Sequence, residues 1–133
     1  MNRIFFICAS LATVAALHFS GVLSNINLTH PIWRGNATLF GSLGGALLSA
    51  LIFWACAAKP RLGRWFERFL MLGFIIALPT ALISAKVFID AAEYNRLAVN
   101  LWHKSSYAVF ITFVPSMAAL LAKLRIIGSG KLD

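Results

Sequence analysis

The stretch Thr38 to Ala58, TLFGSLGGALLSALIFWACAA, runs 21 residues without a charge and is followed at once by Lys59-Pro60-Arg61-Leu62-Gly63-Arg64. About 20 mostly apolar residues are what a helix needs to cross roughly 30 Å of hydrocarbon. The basic hexapeptide then ends the run, because its charges are costly in hydrocarbon and its proline and glycine disfavour a continuing helix. The sequence therefore predicts a membrane-spanning helix over 38–58, and the rest of the chain can be read outward from it.

Toward the amino terminus a second apolar run extends from Ile4 to Leu23, with Cys8 and His18 as its ionisable side chains. Arg3 before an apolar run has the look of a signal peptide. The run is longer than a signal core and no small-x-small cleavage site stands out, so the reading predicts a retained helix over 4–23. Ser24 to Ala37, rich in Asn, Gly and Pro, reads as a loop. Toward the carboxyl terminus, apolar runs predict helices over 69–89 and 106–122, with Pro79 and Pro115 inside them. From Lys86 to Lys104 no glycine or proline intervenes, and Val87, Ala91, Ala98, Leu101 and Trp102 recur at roughly helical spacing. That pattern predicts an amphipathic extension of the third helix along the interface.

The expected fold is thus all-α: one polytopic membrane domain of four transmembrane helices in an up-down bundle. Composition agrees, since 60% of the 133 residues are hydrophobic and 12% charged, far from a soluble domain. The net charge of +8 does not point to nucleic acid, because the basic residues flank the apolar runs instead of alternating with stacking aromatics. Eight of them (Arg3, Lys59, Arg61, Arg64, Arg68, Lys123, Arg125, Lys131) fall on one side of the expected bundle. Arg34, Arg96 and Lys104 fall on the other. The richer side is read as cytoplasmic, with both termini there, in a bacterial inner membrane.

The residues able to carry function are few. Lys86 stands inside the expected third helix, and Asp90 and Glu93 follow at one-turn intervals, so the three are expected to share a stripe. Lys86 either snorkels to the headgroups and pairs with Asp90, or belongs to a polar site with His18, whose expected depth is similar. His18 and His103 are the one pair able to hold haem between facing helices, and no attachment motif supports it. No cofactor or metal is expected, because Cys8 and Cys56 lie singly in apolar runs. Gly41-x-x-x-Gly45, continuing to Ser49, is a small-residue face that lets another helix approach closely, within the bundle or in a dimer. The basic loop Lys59, Arg61, Arg64 and Arg68 is a second contact surface. The hydroxyls of Thr80 and Ser116, each next to a proline, are expected to satisfy carbonyls freed by the kinks.

Asn27-Leu28-Thr29 and Asn36-Ala37-Thr38 match a glycosylation pattern too common to decide anything, and Gly128-Ser129-Gly130-Lys131 lacks the rest of a phosphate loop. No paired carboxylates, His-x-x-x-His helix or nucleophile motif points to an enzyme. The expectation is a protein acting by interaction, as an accessory, assembly or immunity-type subunit whose partners are the bilayer and another membrane protein or itself. The rival is a homo-oligomeric channel or small-solute transporter with His18, Lys86 and Asp90 in a polar outer vestibule.

Overall fold

The computed structural model describes residues 3–25 and 35–129, with side chains through Arg125, and the described residues contain helices and no strand. The segment 26–34, with His30, Trp33 and Arg34, and the tail from Gly130 onward lie outside the described residues. Three helical stretches are long and apolar enough to cross a membrane: Ala37–Ala55, Pro60–Asp90 and Arg96–Arg125. Arg3–Phe19 is apolar but has 17 residues.

Helix α1 (Arg3–Phe19) ends before the expected Leu23. Gly21 adopts φ +74°, a left-handed conformation that terminates a helix readily only at glycine, and the short α2 (Val22–Asn25) follows. The next apolar helix opens with a π-helical turn (Ala37–Gly41) that runs directly into α3 (Ser42–Ala55). The Ser42 hydroxyl bonds back to the Thr38 carbonyl within this turn.

The expected basic loop is not a loop. Helix α4 spans Pro60–Asp90, so Arg61, Arg64 and Arg68 stand on its first turns and Lys59 at its N-cap. Proline at the first helical position loses no hydrogen bond and is pre-set for helical φ, so Pro60 begins a helix here. The connection to α3 shrinks to residues 56–59.

The expected extension of the third helix is also corrected. Helix α4 stops at Asp90, Ala91 turns extended (φ −72°, ψ 131°), and α5 starts anew at Arg96 and runs to Ser129. The cause is Asn95, whose side-chain oxygen accepts the Ala98 amide at 3.0 Å and so caps α5. The fourth long helix therefore begins ten residues before the expected Ser106.

Helix α5 is the centre of the packing. Its Val109, Phe110, Val114 and Ala118 share one buried cluster with Ile7 and Val14 of α1, Ala37 before α3, and Ala77 and Ala81 of α4. Of its most apolar window 44% is buried, against 22% for α4, so α4 presents the larger outward surface. Its most extensive contact is with α5, and it touches α3 little.

Two small-residue faces make these contacts possible. On α3, a Cβ added to Gly41 would lie 2.8 Å from Phe110 Cβ, and one added to Gly45 would lie 2.5 Å from the Ile111 carbonyl oxygen. That carbonyl has no donor in its own helix, because residue 115 is proline and lacks the N–H. Glycine at position 45 leaves room for that carbonyl against α3, as small residues do at close helix pairs. On α4, Gly73, Ala77, Ala81 and Ala85 recur every four residues and so share a face; Ala77, Ala81 and Ala85 are buried, and a Cβ on Gly73 would meet Thr112 of α5 at 3.3 Å. The same interface holds Phe74 against Phe113 and Phe88 against Trp102, each with ring centroids 5.6 Å apart.

Candidate functional site

The start of α1, the end of α3, the start of α4 and the later part of α5 converge at one end of the molecule. There a small cavity of about 30 Å³ is bordered by Arg3, Ser49, Phe53, Glu67 and Pro115 among others. Space of that size holds a water or two. Arg3 Nη1 lies 2.6 Å from Glu67 Oε1, with the Glu67 side chain 19% exposed, and the Arg3 guanidinium sits 5.5 Å from the Phe53 ring centroid. This ion pair joins α1 to α4, two helices that otherwise meet little. Sequence reasoning missed it, although Glu67 was visible as a single acid among Arg61, Arg64 and Arg68.

Those three arginines follow a spacing of three and four on α4, so they form one exposed stripe with Trp65 beside it. The same face continues through exposed Leu72, Ile75, Ile76 and Ile83 to Lys86 and Asp90. Eighteen residues separate Arg68 from Lys86, about 27 Å of helix at about 1.5 Å per residue. On α5, exposed Lys104 and Lys123 lie nineteen residues apart, about 28 Å by the same rise. Both spacings match the hydrocarbon thickness of a bilayer.

Lys86 Nζ and Asp90 Oδ2 lie 2.7 Å apart, with side chains 66% and 58% exposed, an i,i+4 pair at the surface. Glu93 is exposed on the connection after α4 and leaves the expected stripe, because the helix ends three residues earlier. His18 is half-buried, edge-on to Phe19 at 5.2 Å, and lines a separate cleft of about 400 Å³ with Val14, Thr38, Ser42 and Leu43. The structure thus pairs Lys86 with Asp90 and places His18 in a different groove. His103 is exposed on α5, edge-on to Trp102 at 6.3 Å.

Gly41 and Gly45 lie against α5, while Ser49, one turn further, borders the Arg3–Glu67 cavity. Thr80 Oγ1 donates to the Ile76 carbonyl at 2.7 Å and not to the Ile75 carbonyl, the one that Pro79 leaves without its amide donor. Ser116 also departs from expectation: its hydroxyl is buried without a hydrogen-bond partner and satisfies no carbonyl at Pro115. Among the described residues no three His, Cys, Asp or Glu side chains are grouped to hold a metal.

Comparison of the chain with protein-family profiles, with curated proteins and with solved structures finds no match. A functional reading therefore rests on the arrangement of its own residues.

Proposed function

We propose that this chain is an integral protein of a bacterial inner membrane that crosses the bilayer four times, keeps both ends on the cytoplasmic side, and acts by interaction as a non-catalytic accessory or assembly subunit. The crossings are α1, the π turn with α3, α4 and α5. Three are long and apolar enough by themselves, and α1, at 17 residues, stands at the short end of the length that spans. The 27 and 28 Å charge spacings on α4 and α5 support the placement. The convergence of α1 and α4 starts with α3 and α5 ends supports alternating directions. Seven basic residues among the described residues, Arg3, Lys59, Arg61, Arg64, Arg68, Lys123 and Arg125, belong to that end, which supports its assignment to the cytoplasm.

The observation that carries the interaction reading is the contrast between inside and outside. Buried side chains centred on α5 pack the helices together and leave about 30 Å³ at the Arg3–Glu67 end, and the larger cleft beside His18 is an open groove between α1 and the start of α3. Along the outward face of α4, by contrast, large apolar residues stand uncovered from Leu62 to Ile89. A filled interior serves packing; an uncovered apolar helix face, within a membrane, is available to a neighbouring helix. The rival channel reading places the exposed Lys86–Asp90 pair between copies of the chain.

Stoichiometry in a mild detergent separates the two. The accessory reading expects one copy of this chain, alone or in a fixed ratio with one larger membrane protein that remains bound through two purification steps. A symmetric homo-oligomer that passes a small solute in vesicles, with flux lost on Lys86→Met, would replace it with the channel.

A further inference from the structure

We propose that the outward face of α4 formed by Arg61, Arg64, Trp65 and Arg68 is a binding site for an anionic phospholipid, with the phosphate on the guanidinium groups and an acyl chain along Leu72 and Ile75. The inference rests on the membrane-crossing reading above but not on the accessory role.

Three features of the face point to this occupant. The arginines are exposed, share one stripe, and have no ion-pair partner among the described residues. Glu67, the acid within this segment, lies three residues from Arg64 on the helix, but its carboxylate is taken up by Arg3 of α1. Positive charge on the stripe is therefore not cancelled by its neighbour. Guanidinium groups match phosphate oxygens with paired N–H donors, which ammonium groups do not.

The apolar track begins one turn below the last arginine, on the same side of the helix, with Leu72 and Ile75 both exposed. A ligand that satisfies the whole face is an amphiphile with a negative head and a hydrocarbon tail about a helical turn deeper. Trp65 stands among the arginines, between Arg64 and Arg68, at the level where an indole ring is favoured at the interface. An acidic segment at the membrane surface would answer the charges and leave Leu72 and Ile75 uncovered, so the lipid is the better fit at this end, and the face from Ile76 to Ile89 is what remains for a neighbouring helix.

The test reconstitutes the full chain in phosphatidylcholine vesicles and measures the association of spin-labelled phosphatidylglycerol relative to spin-labelled phosphatidylcholine. Each surface charge is expected to favour the anionic lipid about fivefold. Wild-type protein should show at least about a fivefold preference, Arg64→Gln/Arg68→Gln should lose most of it, and Lys104→Gln/Lys123→Gln, which removes equal charge elsewhere, should keep it. Millimolar inorganic phosphate should leave it unchanged.

No preference in the wild type, or equal losses in both double variants, would overturn the assignment. Displacement of the lipid by inorganic phosphate would reassign the stripe to a soluble anion. Binding of an acidic peptide that is lost in Arg64→Gln/Arg68→Gln, without lipid selectivity, would reassign it to a protein partner. Flotation of the same vesicles reads membrane integration separately, so a chain that fails to float refutes the membrane reading and not merely the lipid site.

Discussion

Gly45→Leu is expected to prevent the folded protein from accumulating, while Leu47→Ala, two residues away on the same helix, leaves it nearly unchanged. The atom in the way is the Ile111 carbonyl oxygen, 2.5 Å from where even a single Cβ would stand, with the Ile111 carbonyl carbon and the Phe110 carbonyl oxygen each at 3.1 Å. All three belong to backbone, which cannot turn aside as a side chain can. The helices must separate, and α3 then loses its fit to α5, the element that also carries α1 and α4.

Inserted volume in a well-packed core commonly costs about 1–3 kcal/mol and sometimes more. A clash with rigid backbone at the most central helix should lie at or above the upper end. Leu47 is 63% exposed, so trimming it removes little internal contact. Gly45→Ala should fall between the two. Monodisperse yield and thermal midpoint in mild detergent give the comparison, and equal small effects for Gly45→Leu and Leu47→Ala would show that the α3–α5 contact has been misplaced.

Ala81→Leu is the second large effect expected. Ala81 is 0% exposed at the middle of the four-residue ladder Gly73, Ala77, Ala81 and Ala85, on the face by which α4 meets α5 most extensively. Three extra carbons there have no void to enter. The expected result is loss of at least about 2 kcal/mol, within the range for overpacking, seen as a lowered midpoint or as protein that aggregates on extraction. Ile83→Leu, at a residue 64% exposed and at nearly the same depth, controls for leucine in this part of the helix and should be neutral. If both variants melt alike, the ladder is not the contact surface.

The two interfaces differ in how visible they were in the sequence. Glycine is rare enough in a helix that Gly41 and Gly45 at a spacing of four announce a close approach. Alanine is common in this chain and favourable in any helix, so Ala77, Ala81 and Ala85 carry no mark until α5 is seen against them. Hydropathy located the three long apolar helices because it reads the solvent. It did not locate the helix ends, because helices continue past the hydrocarbon wherever the backbone has a reason to remain helical. Pro60 at the first helical position and the Asn95 cap are such reasons, and they turned an expected loop and an expected extension into parts of α4 and α5.

The polar residues divide in the same way. The Lys86–Asp90 pair follows from i,i+4 spacing alone and was legible. Arg3–Glu67 spans 64 positions and needed the fold to bring its partners together. Glu93 was misplaced because its membership of the stripe assumed an unbroken helix, and a five-residue break without glycine or proline leaves little trace in composition.

The most direct test is the side of the membrane on which each connection lies. In a Cys8→Ser/Cys56→Ser background, single cysteines at Asn36, Ala57, Glu93 and Asp133 are exposed to a membrane-impermeant maleimide in intact cells and again after permeabilisation. Four crossings with both ends in the cytoplasm predict that Asn36→Cys and Glu93→Cys react in intact cells, while Ala57→Cys and Asp133→Cys react only after permeabilisation. Labelling of Asn36→Cys and Ala57→Cys on the same side would mean that the helix between them does not cross, and would contradict the account.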